Sequence, residues 1–259
     1  MFDKILGKFR KSSGSAESEK SSSAEEPRES VRPQDAALLA AIEEQKKNDP
    51  LIGAKIGGKE ILDRLLTVLK DEKGVHAESL FCALGSLAGY ACQANLRAQA
   101  VSKGMDPNAP FMVVKTKDGK PYYFGDPLNQ CLAESKFSVW SLSAGAAQHA
   151  GAKTLPDINE IFEHSTKALG SEQFGIPRYP TEYKAGDLPI NYVKALWPVL
   201  LQVVKIFKLK QEPMLWPLLC AFAIQDAFKM VKGAISPEHA LSIVMESAVP
   251  MSKVDLESF

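Results

Sequence analysis

The sequence predicts a mainly α-helical single domain of about eight or nine helices with one β-hairpin at about 111–124, preceded by an amphipathic start and a polar tether. Three observations predict it. Apolar residues recur at helical spacing, with helix starts and stops between them, over most of 34–259. The stretch "SLFCALGSLAGYACQA", residues 79–94, carries no charge and is apolar all round, as a helix enclosed by neighbours must be. Only "FMVVKTKDGKPYYFGD" carries a strong strand signal, two β-rich runs about the turn dipeptide Asp118-Gly119.

Composition fits that class. The 259 residues are 45% hydrophobic and 24% charged, enough for one large core in a globular chain. Lys+Arg and Asp+Glu stand at 31 each, so no overall field favours nucleic acid. Cys82, Cys92, Cys131 and Cys220 form no C-x-x-C pair and have no metal-ligand spacing. Their apolar neighbours point to buried free thiols and a reducing, cytoplasmic setting. No secretory signal is expected, because Met1 to Lys11 alternates apolar and charged residues. A bilayer span takes about 20 apolar residues. The run from Ser79 is interrupted by Gln93, Asn95 and Arg97, and Met214–Ile224 ends at Gln225 and Asp226. No transmembrane span is expected.

The first element is "MFDKILGKFRK", residues 1–11. At about 100° per residue, Phe2, Ile5, Leu6 and Phe9 fall within one arc of about 100°, while Lys4, Lys8 and Lys11 lie opposite. So short a peptide is largely unfolded alone and becomes helical when its stripe meets a receptor. An anionic membrane surface or a groove on a partner protein would serve. The opening letters, Met1-Phe2-Asp3-Lys4-Ile5-Leu6, resemble the amphipathic tail of the glucose-specific IIA proteins of the bacterial phosphotransferase system. The resemblance is confined to that segment and implies an anchoring mode. Residues 12–33, rich in Ser and Glu, predict a disordered tether with a reach of roughly 25 Å.

The globular body, 34–259, opens with a helix over Ala36–Lys47 and another over Glu60–Lys70, with Gly57-Gly58 ahead of it. The uncharged stretch belongs to a central helix from about Ala77 to Lys103, where Gly85 and Gly89 share a face for a close helix crossing. In the hairpin, a two-residue Asp118-Gly119 turn pairs Val114 with Tyr123 and Val113 with Phe124. Pro121 places its strand at an edge. Asp126-Pro127 starts the next helix, and helices follow over Ser138–Ala150 and Asp157–Leu169. Trp197-Pro198 and Trp216-Pro217 read as two helix entries, and Ser236-Pro237-Glu238 starts a last helix ending at Pro250. The tail from Met251 is expected to fray.

For chemistry, the sequence holds no P-loop, G-x-G-x-x-G, H-E-x-x-H or G-x-S-x-G motif. His76, His149, His164 and His239 are dispersed, so no metal and no cofactor are expected. Cys131 is the best catalytic candidate, near a helix start that lowers a thiol's pKa, with His149 as its base if their helices face one another. Packing beside Leu128 and Leu132 is the competing reading of Cys131. Tyr122, Tyr123, Asp126, Asn129 and Gln130 form a candidate rim of a small-molecule pocket. The competing reading places one tyrosine in the core and the other on the surface. Together these point to a non-enzymatic cytoplasmic interaction or adaptor domain, held reversibly to a membrane surface or partner protein by residues 2–11. The alternative is a cysteine-dependent enzyme or small-molecule-binding helical protein with its site near Cys131 and the hairpin.

Overall fold

The structure is a computed structural model and describes residues 33–179 and 184–258, the first six of these by backbone alone. The amphipathic segment at 1–11 and, but for Pro33, the tether at 12–33 lie outside the described residues. The body is mainly α, with a single two-stranded antiparallel hairpin. Its helices of ten or more residues are α1 (Pro33–Gln45), α2 (Ile52–Leu69), α3 (Ala77–Ser102), α4 (Val139–His149), α5 (Ile158–Lys167), α6 (Pro189–Ile206), α7 (Trp216–Met230) and α8 (Pro237–Met251). The strands are β1 (Met112–Lys115) and β2 (Pro121–Phe124).

The uncharged α3 is the hub. Every residue from Leu80 to Gly89 is buried, with α6, α7 and α8 packed around it. The α3–α8 crossing depends on absent side chains. A methyl group on Gly85 or Gly89 would collide with the backbone of Val244 or Ala248. The paired glycines are a contact surface, as their four-residue spacing predicts.

Four expectations need correction. Helix α2 begins at Ile52, so Gly57 and Gly58 lie inside it. Side chains there would run into Leu219 and Phe222 of α7. Close packing thus outweighs the roughly 1 kcal/mol of helix propensity that each glycine costs. Pro198 lies inside α6, whose first turn is taken by Pro189. Its neighbour Trp197 meets Trp216 edge-on at 6.4 Å, so the two tryptophans form one junction.

The hairpin register is the third. Val113 pairs with Tyr123 and Val114 with Tyr122, one residue from the expected pairing. Thr116 accepts from Gly119 N–H at 2.9 Å and Gly119 has φ +85°. The loop therefore holds one more residue than a two-residue turn, ending on a left-handed glycine, an alternative equally compatible with Asp-Gly.

The fourth is the C-terminal tail. Met251 to Val254 are buried, Val254 bridges to Tyr122, and Tyr123 N–H donates to the Lys253 carbonyl at 3.0 Å. From α3, the Gln93 amide donates to the carbonyls of Ser252 (2.9 Å) and Val254 (3.1 Å). Strand β2 is thus an inner strand between β1 and the tail, and β1 is the exposed edge. Pro121 is accommodated because it opens the strand.

Candidate functional site

Cys131 lies where a short helical turn, Asp126–Asn129, passes into a π-helical turn, Gln130–Glu134. Gly125, with φ +144°, precedes that turn; Asp126 is its first residue and makes no side-chain cap. A π turn inserts a residue into the helical repeat and re-aims the side chains on it. The Cys131 thiol, partly exposed, is aimed at α3. There the Asn95 side-chain N–H donates to its sulfur at 3.5 Å, and the buried Cys92 lies one turn before Asn95 on the same helix. Asn95 is held in turn, since the Gln99 amide donates to Asn95 Oδ1 at 2.6 Å.

The two thiols are shifted in opposite directions. Donation from Cys92 holds the Cys131 thiol below its ordinary pKa; Asn95 adds to this, and partial burial opposes it. The Cys92 thiol is pushed well up, first by complete burial and then by its bond to Cys131. Burial alone raises the Cys220 thiol well above its ordinary pKa, and burial is the main cause at Cys82, whose thiol is pushed up to about 12. Cys131 is thus the one cysteine held toward its reactive thiolate form.

His149 ends α4, exposed, and opens on a cleft of about 500 Å³ lined by Gln225, Phe228, Lys229 and Lys232. The hydrogen-bond partner found at the Cys131 sulfur is Asn95, from α3.

The hairpin candidates separate by environment. Tyr122 and Tyr123 are both buried, correcting the expectation of one core and one surface ring. Pairing with the tail covers only the edge of β2; the rings themselves are buried by side chains, Phe174 against Tyr122 and Phe111 with Arg97 against Tyr123. Tyr122 meets Phe174 edge-on at 4.9 Å, while the Arg97 guanidinium lies 4.3 Å from the centroid of Tyr123. Asp126 and Gln130 are exposed and Asn129 is half-buried.

Sequence reasoning passed over two further clusters. Lys253 is 1% exposed, its ammonium 4.3 Å from the Phe124 centroid and 5.5 Å from that of Phe162. Burial lowers its pKa to about 8. Only tertiary packing covers this lysine, in a tail whose composition reads as solvated. At the start of α3, His76 Nε2 faces Glu78 Oε2 at 3.1 Å and His76 Nδ1 faces Ser79 Oγ at 3.0 Å. The local spacing His-x-Glu-Ser was the available signal. With the proton on Nε2, a carboxylate–imidazole–hydroxyl relay results. Ser79 is only 2% exposed, however, and its oxygen accepts from Gly186 N–H at 2.8 Å. The relay therefore fastens the 184–188 loop to α3 rather than offering a nucleophile to substrate.

Among the described residues, no three of His, Cys, Asp and Glu are placed to hold a metal ion, and no helix is long and apolar enough to cross a membrane. The chain matches no protein-family model, no curated protein and no solved structure.

Proposed function

We propose that the protein is a non-enzymatic interaction module whose helical body is held reversibly at an anionic membrane surface, on the cytoplasmic side, by residues 2–11. One sequence pattern carries the reading: at helical spacing Phe2, Ile5, Leu6 and Phe9 would fall on one face and Lys4, Lys8 and Lys11 on the other. Burying the four apolar side chains contributes about 6–10 kcal/mol gross. Ordering the segment takes back about 1 kcal/mol or more per residue, so attachment is weak and reversible. Among the described residues, the buried apolar core runs from Ile42 to Val254. The tether of about 20 residues gives the body room to engage a second partner while anchored.

Co-sedimentation of the full chain with vesicles tests this. Phosphatidylserine-containing vesicles should carry the protein down and purely zwitterionic vesicles should not. Ile5→Ser with Phe9→Ser should abolish sedimentation, and reversing Lys4, Lys8 and Lys11 to Glu should do the same. Equal sedimentation of all three chains would refute the anchoring role. No sedimentation of any would move the leader's receptor from lipid to protein.

A further inference from the structure

We propose that Cys131 and Cys92 form a peroxide-sensitive dithiol, in which Cys131 is the attacking residue, Cys92 resolves it, and Asn95 positions the pair. Neither residue lies in the leader, so the proposal stands or falls independently of membrane anchoring.

Three geometric facts carry it. Of the four cysteines, Cys82, Cys92 and Cys220 are each fully buried, and Cys131 alone is open to a small oxidant. Cys131 also lies against α3 at Asn95, whose amide is 3.5 Å from its sulfur, and Cys92 sits one turn before Asn95 on that helix. Finally, the Asn95 amide points its donor at the reacting sulfur because its oxygen is engaged by Gln99. A donor in that place stabilises sulfur as it gains negative charge.

The chemistry balances with a hydroperoxide as oxidant. The Cys131 thiolate attacks the peroxide; an S–O bond forms, the O–O bond breaks, and one water or alcohol leaves after protonation. Cys131 is oxidised by two electrons to the sulfenic acid and the peroxide is reduced. The Cys92 sulfur then attacks Cys131; an S–S bond forms, the S–O bond breaks, and the Cys92 proton leaves with the hydroxyl as water. The product ties the π turn to the central helix, joining a surface segment to the hub of the core.

The test uses the full chain treated with hydrogen peroxide, alkylated, and digested without reduction for peptide mass spectrometry. A Cys92–Cys131 linked peptide should be the main product. Cys220→Ser should leave it intact and Cys131→Ser should abolish it. Cys92→Ala should instead trap Cys131 as a sulfenic acid that dimedone labels. Asn95→Leu should slow Cys131 oxidation by about tenfold and move its pH midpoint upward, since a bond to the thiolate is lost. The wild-type crosslink is read without any substitution, so a variant that misfolds leaves that measurement intact. Oxidation of Cys131 no faster than that of Cys82, or a main crosslink to Cys220 or between chains, would overturn it.

Discussion

The ammonium of Lys253 lies 4.3 Å from the centre of the Phe124 ring, inside the junction of the hairpin, the C-terminal tail and α5. The ring faces favour the charged form, but burial dominates and lowers the pKa from 10.5 to about 8. Below pH 8 the amine is protonated both folded and unfolded, and its desolvation penalty is constant. As pH rises from about 8 to 10.5 the folded chain loses the proton first, so this group's contribution to stability rises by about 3 kcal/mol. Denaturant melts at several pH values, comparing the wild type with Lys253→Met, should show the difference between them growing in favour of the wild type across that window. A constant difference would mean that Lys253 is not desolvated in solution.

The hub helix makes a sharper prediction from two glycines. Gly89→Ala drives a methyl group into the Ala248 carbonyl, where only backbone movement relieves it, and should destabilise the fold by about 3 kcal/mol. Gly145→Ala in α4 meets nothing within 4 Å and should stabilise by about 0.5–1 kcal/mol through helix propensity. Urea denaturation of both variants checks the contrast. Equal effects would contradict the α3–α8 crossing.

Gln93 holds the tail through two carbonyls, so Gln93→Leu should leave both without that donor and cost about 2 kcal/mol. The local signature is more telling than the total. Amide exchange at Tyr123, whose N–H donates to Lys253, should quicken more than exchange at Val113 in the exposed edge strand. Unchanged exchange at Tyr123 would mean that the tail stays paired without its clamp.

Much of this architecture is legible in the letters because it is local. Ser138, Asp157 and Ser236 each accept a backbone N–H at the helix starts they predict, and the charge-free run from Ser79 is the buried hub. What escapes the sequence is tertiary. Gly57-Gly58 reads as punctuation, and only the approach of α7 makes it packing. Asp118-Gly119 fits two loop lengths, and the shorter gives a register one residue off. The polar tail reads as solvated until β2 and Gln93 give it partners. At the candidate site, Cys131 stands out by its place near a helix start. Its meeting with Asn95 joins residues more than thirty positions apart, which no local spacing encodes.

The proposed anchoring of the helical body by its leader is tested most directly by amide hydrogen exchange of the full chain, with and without phosphatidylserine-containing vesicles. Protection should appear over residues 2–11 when vesicles are added, while exchange from Ile42 to Val254 stays as it was. Protection confined to the helical body, with the leader exchanging equally fast in both samples, would contradict the account.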